Sequence, residues 1–173
     1  MRLSRFGRIV LGLLIVQGLL LTGMGLAQTQ QPACGPDHAI LYKRAVGLLD
    51  KAEKKLAAKY TAEAKSLLKE ANSLFTILLK ECGPQQKERA LTSQEEQQET
   101  VNKKLAADET AQADRLEKSA AEKLKKAEAA QDELGAKYAR EAKAENEQAQ
   151  VRHLKAGIYS LRNQQMIFRF LAK

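Results

Sequence analysis

Cys34 and Cys82 are the side chains of this sequence best suited to covalent chemistry, and each begins the tripeptide Cys-Gly-Pro. The sequence contains no other cysteine. Thiols in a reducing compartment most often serve catalysis or metal binding, whereas an even number of thiols in an exported chain is usually paired in disulfides. The chemistry of this pair therefore depends on where the chain resides and on how the segment between the two cysteines folds.

The residues around Cys34 carry side chains that could serve redox or metal chemistry. The sequence Cys-Gly-Pro-Asp resembles the Cys-Gly-Pro-Cys active site of thioredoxins, but Asp37 stands in place of the resolving cysteine and no strand pattern precedes it. We therefore expect no redox catalysis. Cys34 and His38 are four residues apart and could share one helical face as metal ligands. Because the chain offers only one further His and one further Cys, we expect no metal site and interpret His38 as a first-turn helix residue.

Pairs of carboxylates are frequent, such as Glu95 with Glu96 and Asp132 with Glu133, but they lie in polar segments. Nothing in such segments would desolvate one member and raise its pKa for acid catalysis. The sequence also lacks a glycine-rich phosphate loop and a nucleophile elbow. We expect no catalytic residue, no cofactor, no small-molecule substrate and hence no enzyme.

The N-terminus predicts export. Three arginines in the first eight residues precede an apolar run over residues 9–21, and small residues at positions 25 and 27 precede Gln28. This order is that of a secretory signal peptide, so we predict that residues 1–27 are removed after Ala27 and that the protein is periplasmic or secreted. The alternative is an uncleaved N-terminal helix that anchors the protein in the membrane, since residues 9–27 are just long enough to span it.

The composition of the remaining chain predicts helices. Removal of the signal leaves 146 residues, the size of one domain, with 26 basic and 21 acidic side chains. Alanine, leucine, lysine, glutamate and glutamine dominate, as they do in long helices and coiled coils. Because the chain is exported, we expect no nucleic-acid partner despite the positive charge.

Residues 34–84 are predicted to form a helical hairpin. Pro36 and Asp37 suit a helix start, Gly83 and Pro84 suit a helix end, and Thr61 near the midpoint suits the N-cap of a second helix. Apolar residues recur between these signals at steps of three and four, which is the spacing of one helical face: Leu41, Ala45, Leu48, Ala52, Leu56, Ala64, Leu67, Ala71, Leu74 and Leu78.

A hairpin also accounts for the two Cys-Gly-Pro tripeptides. One continuous helix would hold Cys34 and Cys82 about 70 Å apart. A hairpin would bring their Cα atoms within the roughly 7 Å that a disulfide allows. We predict that the Cys34–Cys82 disulfide closes the open end of this hairpin; an intermolecular bridge and free thiols are the alternatives.

Residues 85–100 are predicted to be a polar linker or helix start, with Ser93 and Glu96 spaced as a capping box. Residues 101–173 are predicted to form a second, longer hairpin, whose packing face is Val101, Leu105, Leu116, Ala120, Leu124, Ala127, Leu134 and Tyr138.

The turn of the second hairpin is predicted from an internal repeat. Residues 134–143 match residues 56–65 at seven of ten positions, so we expect Tyr138 to mark a turn as Tyr60 does, with Gly135 helping to break the helix. Residues 139–150 carry no large apolar side chain and are expected to project into solvent.

The C-terminal segment, residues 151–173, is predicted to be a basic amphipathic helix, because it has five basic and no acidic residues. Such a helix either lies on an anionic membrane or docks into a partner, or it packs on the first hairpin and leaves its terminal aromatics for a partner. The candidate contact residues are Arg162, Ile167, Phe168, Arg169, Phe170 and Leu171.

In its basic, alanine-rich helical composition and export signal, the chain resembles Skp-type periplasmic chaperones, which carry long helical arms; their β-rich trimerisation body has no counterpart in the sequence. We predict an all-α fold of two antiparallel, coiled-coil-like helical hairpins. The expected function is that of an exported, non-catalytic helical adaptor or chaperone-like interaction protein of a bacterial-type cell envelope, with a protein partner or self-association. The alternative is a peripheral membrane-binding protein that acts through the C-terminal helix.

Overall fold

The computed structural model describes residues 34–86, 91–130 and 132–172, so the predicted signal peptide lies outside the described residues. In these ranges the chain forms four α-helices and a short 3-10 helix: α1 (Pro36–Ala57), α2 (Thr61–Gln86), α3 (Ser93–Ala129), α4 (Asp132–Ile167) and the 3-10 helix Arg169–Ala172. The same ranges contain no β-strand. Helices α1 and α2 pair, as do α3 and α4, so the prediction of two antiparallel helical hairpins is confirmed.

None of the helices within the described ranges combines the length and the apolar character that crossing a membrane requires.

The turn between α1 and α2 is a Schellman motif. The Tyr60 N–H donates to the Lys55 carbonyl (2.9 Å), and the Lys59 N–H donates to the Leu56 carbonyl (3.0 Å). The left-handed position of this motif, which glycine usually occupies, is held here by Lys59 with a φ of 65°. The turn therefore ends α1 abruptly at the cost of a strained lysine backbone.

The bounds of α2 differ from the predicted ones. The helix begins at Thr61, and the Tyr60 carbonyl accepts the hydrogen bond of the Ala64 N–H, so Tyr60 occupies the N-cap position that was predicted for Thr61. At its other end α2 continues through Gly83 to Gln86. The Gly-Pro after Cys82 thus falls in the last turn of the helix rather than ending it.

The core of the first hairpin follows a spacing of three and four residues along both helices. Tyr42 packs edge-on against Phe75, with ring centroids 6.4 Å apart. Four leucines of the predicted apolar face lie at the half-buried margin of this core: Leu41, Leu48, Leu56 and Leu67. The buried side chains are Tyr42, Ala45, Leu49 and Ala52 from α1, and Ala64, Leu68, Ala71, Leu74, Phe75, Leu78 and Cys82 from α2.

The C-terminal part of α4 completes this core. In the described residues, α3 has no Cα atom within 8 Å of α1 or α2, so the two hairpins are joined through α4 and the 3-10 helix. A Cβ atom on Gly157 would lie 2.8 Å from Leu68 Cδ2, which shows how closely α4 approaches α2. The apolar side chains that α4 and the 3-10 segment add to the core are Leu154, Ile158, Leu161, Phe168 and Leu171.

The second hairpin packs through small residues, which corrects the predicted packing face. Ala113 and Ala120 of α3, and Ala142 and Ala149 of α4, are fully buried, and each pair is seven residues apart. This spacing is that of a coiled-coil seam. By contrast, four of the large residues predicted for the face are exposed: Val101 by 49 %, Leu105 by 37 %, Leu124 by 43 % and Leu134 by 51 %. Alanine in the seam lets the two backbones approach more closely than leucine would allow.

The prediction of a turn at Tyr138 is wrong. Helix α3 ends at Ala129 and α4 begins at Asp132, so Tyr138 lies in the second turn of α4. Gly135 does not break a helix either. A Cβ atom there would lie 2.9 Å from the Ala130 carbonyl oxygen and 3.0 Å from that of Ala127, so glycine permits close contact between the two helix ends.

The N-terminal cap of α3 lies one residue before the predicted one. Thr92 is the N-cap: its backbone N–H donates to Glu95 Oε2 (2.8 Å), and its Oγ1 accepts from the Glu95 N–H (3.3 Å). The sequence Thr-Ser-Gln-Glu-Glu contains two overlapping capping-box patterns, and the helix uses the first.

Candidate interaction surfaces

The first hairpin is closed by the Cys34–Cys82 disulfide, as predicted. The two Cα atoms are 5.2 Å apart, although the residues are separated by 48 positions in sequence. Cys82 is fully buried, and Cys34 packs at the margin of the same core. A disulfide that closes a loop of this length contributes about 4 kcal/mol in the chain-entropy model.

His38 lies beside the disulfide and links the two helices. Its Nδ1 is 3.1 Å from the Gly35 backbone nitrogen, and its Nε2 is 2.8 Å from Glu81 Oε2. A backbone N–H can only donate, so Nδ1 is the acceptor and the proton is on Nε2, from which it is donated to the Glu81 carboxylate. The His38 side chain is 12 % exposed. The contact between His38 and Glu81 thus reinforces the closed end of the hairpin.

The apolar residues predicted as C-terminal contacts lie in or against the core. Phe168 is fully buried and Leu171 is 7 % exposed. Ile167 and Phe170 are half-buried and pack against the same cluster. The C-terminal segment therefore packs on the first hairpin, which is one of the alternatives that the sequence left open, and its aromatic rings contribute to that packing.

The two candidate arginines are also engaged within the chain. Arg162 of α4 donates from Nε and Nη2 to both oxygens of Glu53 (2.9 and 2.6 Å) and from Nη2 to Asp50 (2.8 Å), both on α1. The Glu53 hydrogen bonds are the main reason why the pKa of Arg162 is raised above its usual value. Arg169 Nε lies 2.5 Å from Glu95 Oε1 and so ties the 3-10 helix to the start of α3.

A buried polar pair fixes how α3 and α4 align. Asn102 Nδ2 donates to Asn163 Oδ1 over 2.8 Å, and both side chains are 6 % exposed. Asn163 also donates to the Glu99 carbonyl over 3.3 Å. A slip of one helical turn would leave these amides buried without partners, so the pair selects one register. It lies at the end of the hairpin opposite the turn.

The turn of the first hairpin lies beside the middle of α4. A groove there is lined by Leu56, Lys59 and Thr61 on one side and by α4 residues between Ala144 and Lys155 on the other. The part of the second hairpin nearer its own turn therefore extends beyond the first hairpin. We call residues 119–130 and 132–143 the arm; at 1.5 Å per residue its α4 portion is about 18 Å long.

Ion pairs cross the seam of the second hairpin. Lys123 Nζ lies 2.6 Å from Glu145 Oε1 and 3.3 Å from Glu141 Oε2. The hydrogen bond from Lys123 is the main cause that lowers the pKa of Glu145, and in return Glu145 raises the pKa of Lys123. Nearer the core, Arg152 Nη1 lies 2.9 Å from Glu109 Oε2. Helices α3 and α4 are thus held together by small buried residues and by ion pairs between the two helices.

Sequence reasoning placed Ala120 on the packing face, where it is fully buried, but missed the rest of the seam, although a signal was present. Alanine recurs every seventh residue at positions 106, 113, 120 and 127 of α3, and small residues recur at 135, 142, 149 and 156 of α4. Two such series on consecutive helices predict a close antiparallel pair. Because alanine occupies the seam, the large side chains of the arm, Leu124 and Leu134, lie outside it and are exposed.

Comparison with protein-family models, with curated proteins and with solved structures finds no match to this chain.

Proposed function

We propose that this protein is an exported, non-catalytic helical adaptor or chaperone-like interaction protein of a bacterial-type cell envelope, and that it contacts partner proteins through its arm. The observation that supports the proposal most directly is the arm itself. It extends beyond the shared core, and it exposes Leu124 by 43 % and Leu134 by 51 % on either side of its turn.

The charge of the arm favours a protein partner over a polyanionic one. Residues 119–143 contain six basic and five acidic side chains, so the arm offers no concentrated positive field. Burying a leucine on a partner stabilises the contact by about 1.5–3 kcal/mol. Several weak apolar contacts of this kind suit an adaptor or a holding chaperone. A second copy of the chain is one such partner, and sedimentation at micromolar concentration would reveal it.

The membrane alternative requires the C-terminal segment to leave the core. Phe168 and Leu171 would have to exchange packing against the first hairpin for lipid, and Arg162 would have to leave Glu53 and Asp50. Co-sedimentation with anionic vesicles at low and high salt distinguishes the protein-interaction hypothesis from the membrane-binding hypothesis. We expect no salt-sensitive binding, whereas binding that is lost at high salt would favour the membrane alternative.

The arm is tested by its effect on the aggregation of an unfolded client protein, followed by light scattering. We expect the protein to suppress scattering at equimolar concentration, and the double variant Leu124→Gln/Leu134→Gln to lose most of this effect. The matched control is Ile40→Gln/Leu79→Gln, because Ile40 (65 % exposed) and Leu79 (48 % exposed) are at least as accessible on average as the arm leucines but lie on the first hairpin.

Surface substitutions of this kind change stability by only about 0.5 kcal/mol, so both variants are expected to keep their helical circular dichroism. The proposal is contradicted if the unmodified protein does not suppress aggregation, or if the arm variant and the control variant behave alike.

A further inference from the structure

The groove between the turn of the first hairpin and the middle of α4 has a volume of about 610 Å³. This volume lies within the range of protein pockets that hold a ligand. The lining of the groove combines aliphatic side chains with charged ones, and the aliphatic residues are Leu56, Ala144 and Val151. The groove can therefore accept an apolar group and a charged group side by side.

The charged side chains of the groove are mostly basic. Lys59, Arg152 and Lys155 line it, together with the carboxylate of Glu147. Arg152 is already paired with Glu109, over 2.9 Å. Lys59 and Lys155 form no ion pair or hydrogen bond within the part of the chain that the structure describes, although Lys155 is half-buried. Two cations are thus left to attract an anionic group, and Glu147 is the charge that opposes its binding.

Lys59 occupies a position that favours glycine. Its φ of 65° is the left-handed conformation of the Schellman motif, which strains any residue with a Cβ atom. Among the described residues, no ion pair of Lys59 offsets this strain. Strain that is kept in this way is concentrated at binding and active sites. We therefore interpret Lys59 as a residue whose ammonium group, rather than its backbone, determines its place in the turn.

We propose that this groove binds an acidic segment of a partner protein. Carboxylates of the segment pair with Lys59 and Lys155, in charge-assisted hydrogen bonds that are stronger than neutral ones. Aliphatic side chains beside these carboxylates pack on Leu56 and Val151. A peptide that alternates acidic and aliphatic residues has the chemistry that the groove complements.

The choice of a protein as the partner rests on the proposed function, because the groove adjoins the arm. The α4 residues that line the groove begin at Ala144, directly after the end of the arm at residue 143. The two surfaces differ in chemistry, since the arm presents exposed leucines and a nearly balanced charge whereas the groove presents two unpaired cations. A partner that contacts the arm can thus continue into the groove.

The proposal is tested by fluorescence polarisation with two labelled peptides, one of alternating leucine and glutamate and one of alternating leucine and glutamine. We expect the acidic peptide to bind at least about 5-fold more tightly, and this difference to shrink at high salt because the groove is open to solvent. Lys59→Gly and Lys155→Gln should each weaken binding of the acidic peptide about 2- to 5-fold. Glu147→Gln should strengthen it about 2-fold, since this change removes the opposing charge.

Two controls separate the groove from general charge and from folding. Lys69→Gln and Lys80→Gln remove the same charge from exposed positions of α2 that do not line the groove, and they should leave the affinity nearly unchanged. Lys59→Gly relieves backbone strain, so we expect it to raise the thermal midpoint while it lowers the affinity. Loss of affinity in this variant could not then be attributed to unfolding.

The proposal is overturned if the acidic peptide binds no more tightly than the neutral one at high micromolar concentration. It is also overturned if the control lysine variants weaken binding as much as the groove variants, or if Lys59→Gly binds as tightly as the unmodified protein. Groove variants that lose binding to anionic vesicles but not to the peptide would assign the groove to lipid headgroups instead.

Failure of this inference is distinguishable from failure of the proposed function. The arm variant Leu124→Gln/Leu134→Gln keeps the groove and should bind the acidic peptide like the unmodified protein. Peptide binding without any suppression of client aggregation would contradict the proposed function alone. Suppression of aggregation without peptide binding would overturn the groove alone.

Discussion

Arg162 of α4 and Glu53 of α1 form a two-pronged ion pair across the interface between the two hairpins, with Nε–Oε1 at 2.9 Å and Nη2–Oε2 at 2.6 Å. The two residues are 109 positions apart in sequence. The pair therefore joins α1 and α4, two helices that lie far apart in the sequence. Its planar geometry is available to arginine and not to lysine.

Removing this ion pair should loosen the junction between the hairpins. We expect Arg162→Ala to lower the free energy of unfolding by about 1–2 kcal/mol, because a bidentate, partly buried pair is worth more than an exposed one. Urea unfolding followed by circular dichroism measures the change. The control is Arg44→Ala, since Arg44 is 62 % exposed and its pair with Glu70 lies within the first hairpin. Equal losses in the two variants would contradict the role assigned to Arg162.

The second hairpin should weaken in acid. Lys123 holds the pKa of Glu145 below its ordinary value of 4.5. A carboxylate with a lowered pKa in the folded state stabilises the fold above its unfolded-state pKa, and this contribution is lost as the pH falls through the folded-state value. We expect the urea midpoint to fall as the pH drops below about 4.5, and to fall less in Glu145→Gln. Identical pH profiles for the two proteins would rule out this contribution.

The alanine seam sets the distance between α3 and α4. Ala142→Leu places a larger side chain at a fully buried position, and overpacking of this kind costs about 1–3 kcal/mol. Ala139→Leu changes an exposed position on the same helix and should be nearly neutral. Thermal unfolding measures both variants. If the leucine were tolerated equally well at the two positions, the close packing of the arm would be refuted.

Replacing Lys59 in the turn of the first hairpin by glycine should stabilise the protein. Lys59 holds a φ of 65°, which costs a residue with a Cβ atom about 1 kcal/mol relative to glycine. Lys59→Gly is therefore expected to raise the free energy of unfolding by about 0.5–1 kcal/mol. Lys65→Gly, at an exposed position within α2, should lower it by about 1 kcal/mol. A destabilised Lys59→Gly would mean that the lysine contributes contacts worth more than its strain.

The first hairpin could be predicted from the sequence because its signals agree. The helix start at Pro36, the midpoint near residue 58 and the placement of Cys34 and Cys82 all indicate one geometry. The apolar periodicity located the helices but not the side chains that face the core, since Tyr42 and Leu49 rather than Leu41 and Leu48 are buried there. Positions one residue apart differ by only about 100° around a helix.

The packing face of the second hairpin was harder to predict, because an apolar pattern is dominated by its large residues. Leu124 and Leu134 were predicted to pack, yet the smallest residues determine how closely two helices approach, and alanine fills the seam. The repeat around Tyr138 misplaced the turn for a similar reason, since a local match carries no information about the partner helix. For the C-terminal segment, an amphipathic pattern cannot distinguish a lipid, a partner and the chain's own core. Only the position of the first hairpin decides that Phe168 is buried.

The central claim, an exported chain whose two cysteines close the first hairpin, is tested most directly by the intact mass of the exported protein after alkylation without reduction. We predict a monomer that begins at Gln28, carries no alkyl group and is two hydrogens lighter than the reduced chain. Two alkylated thiols, a covalent dimer or a retained N-terminal segment would contradict the claim.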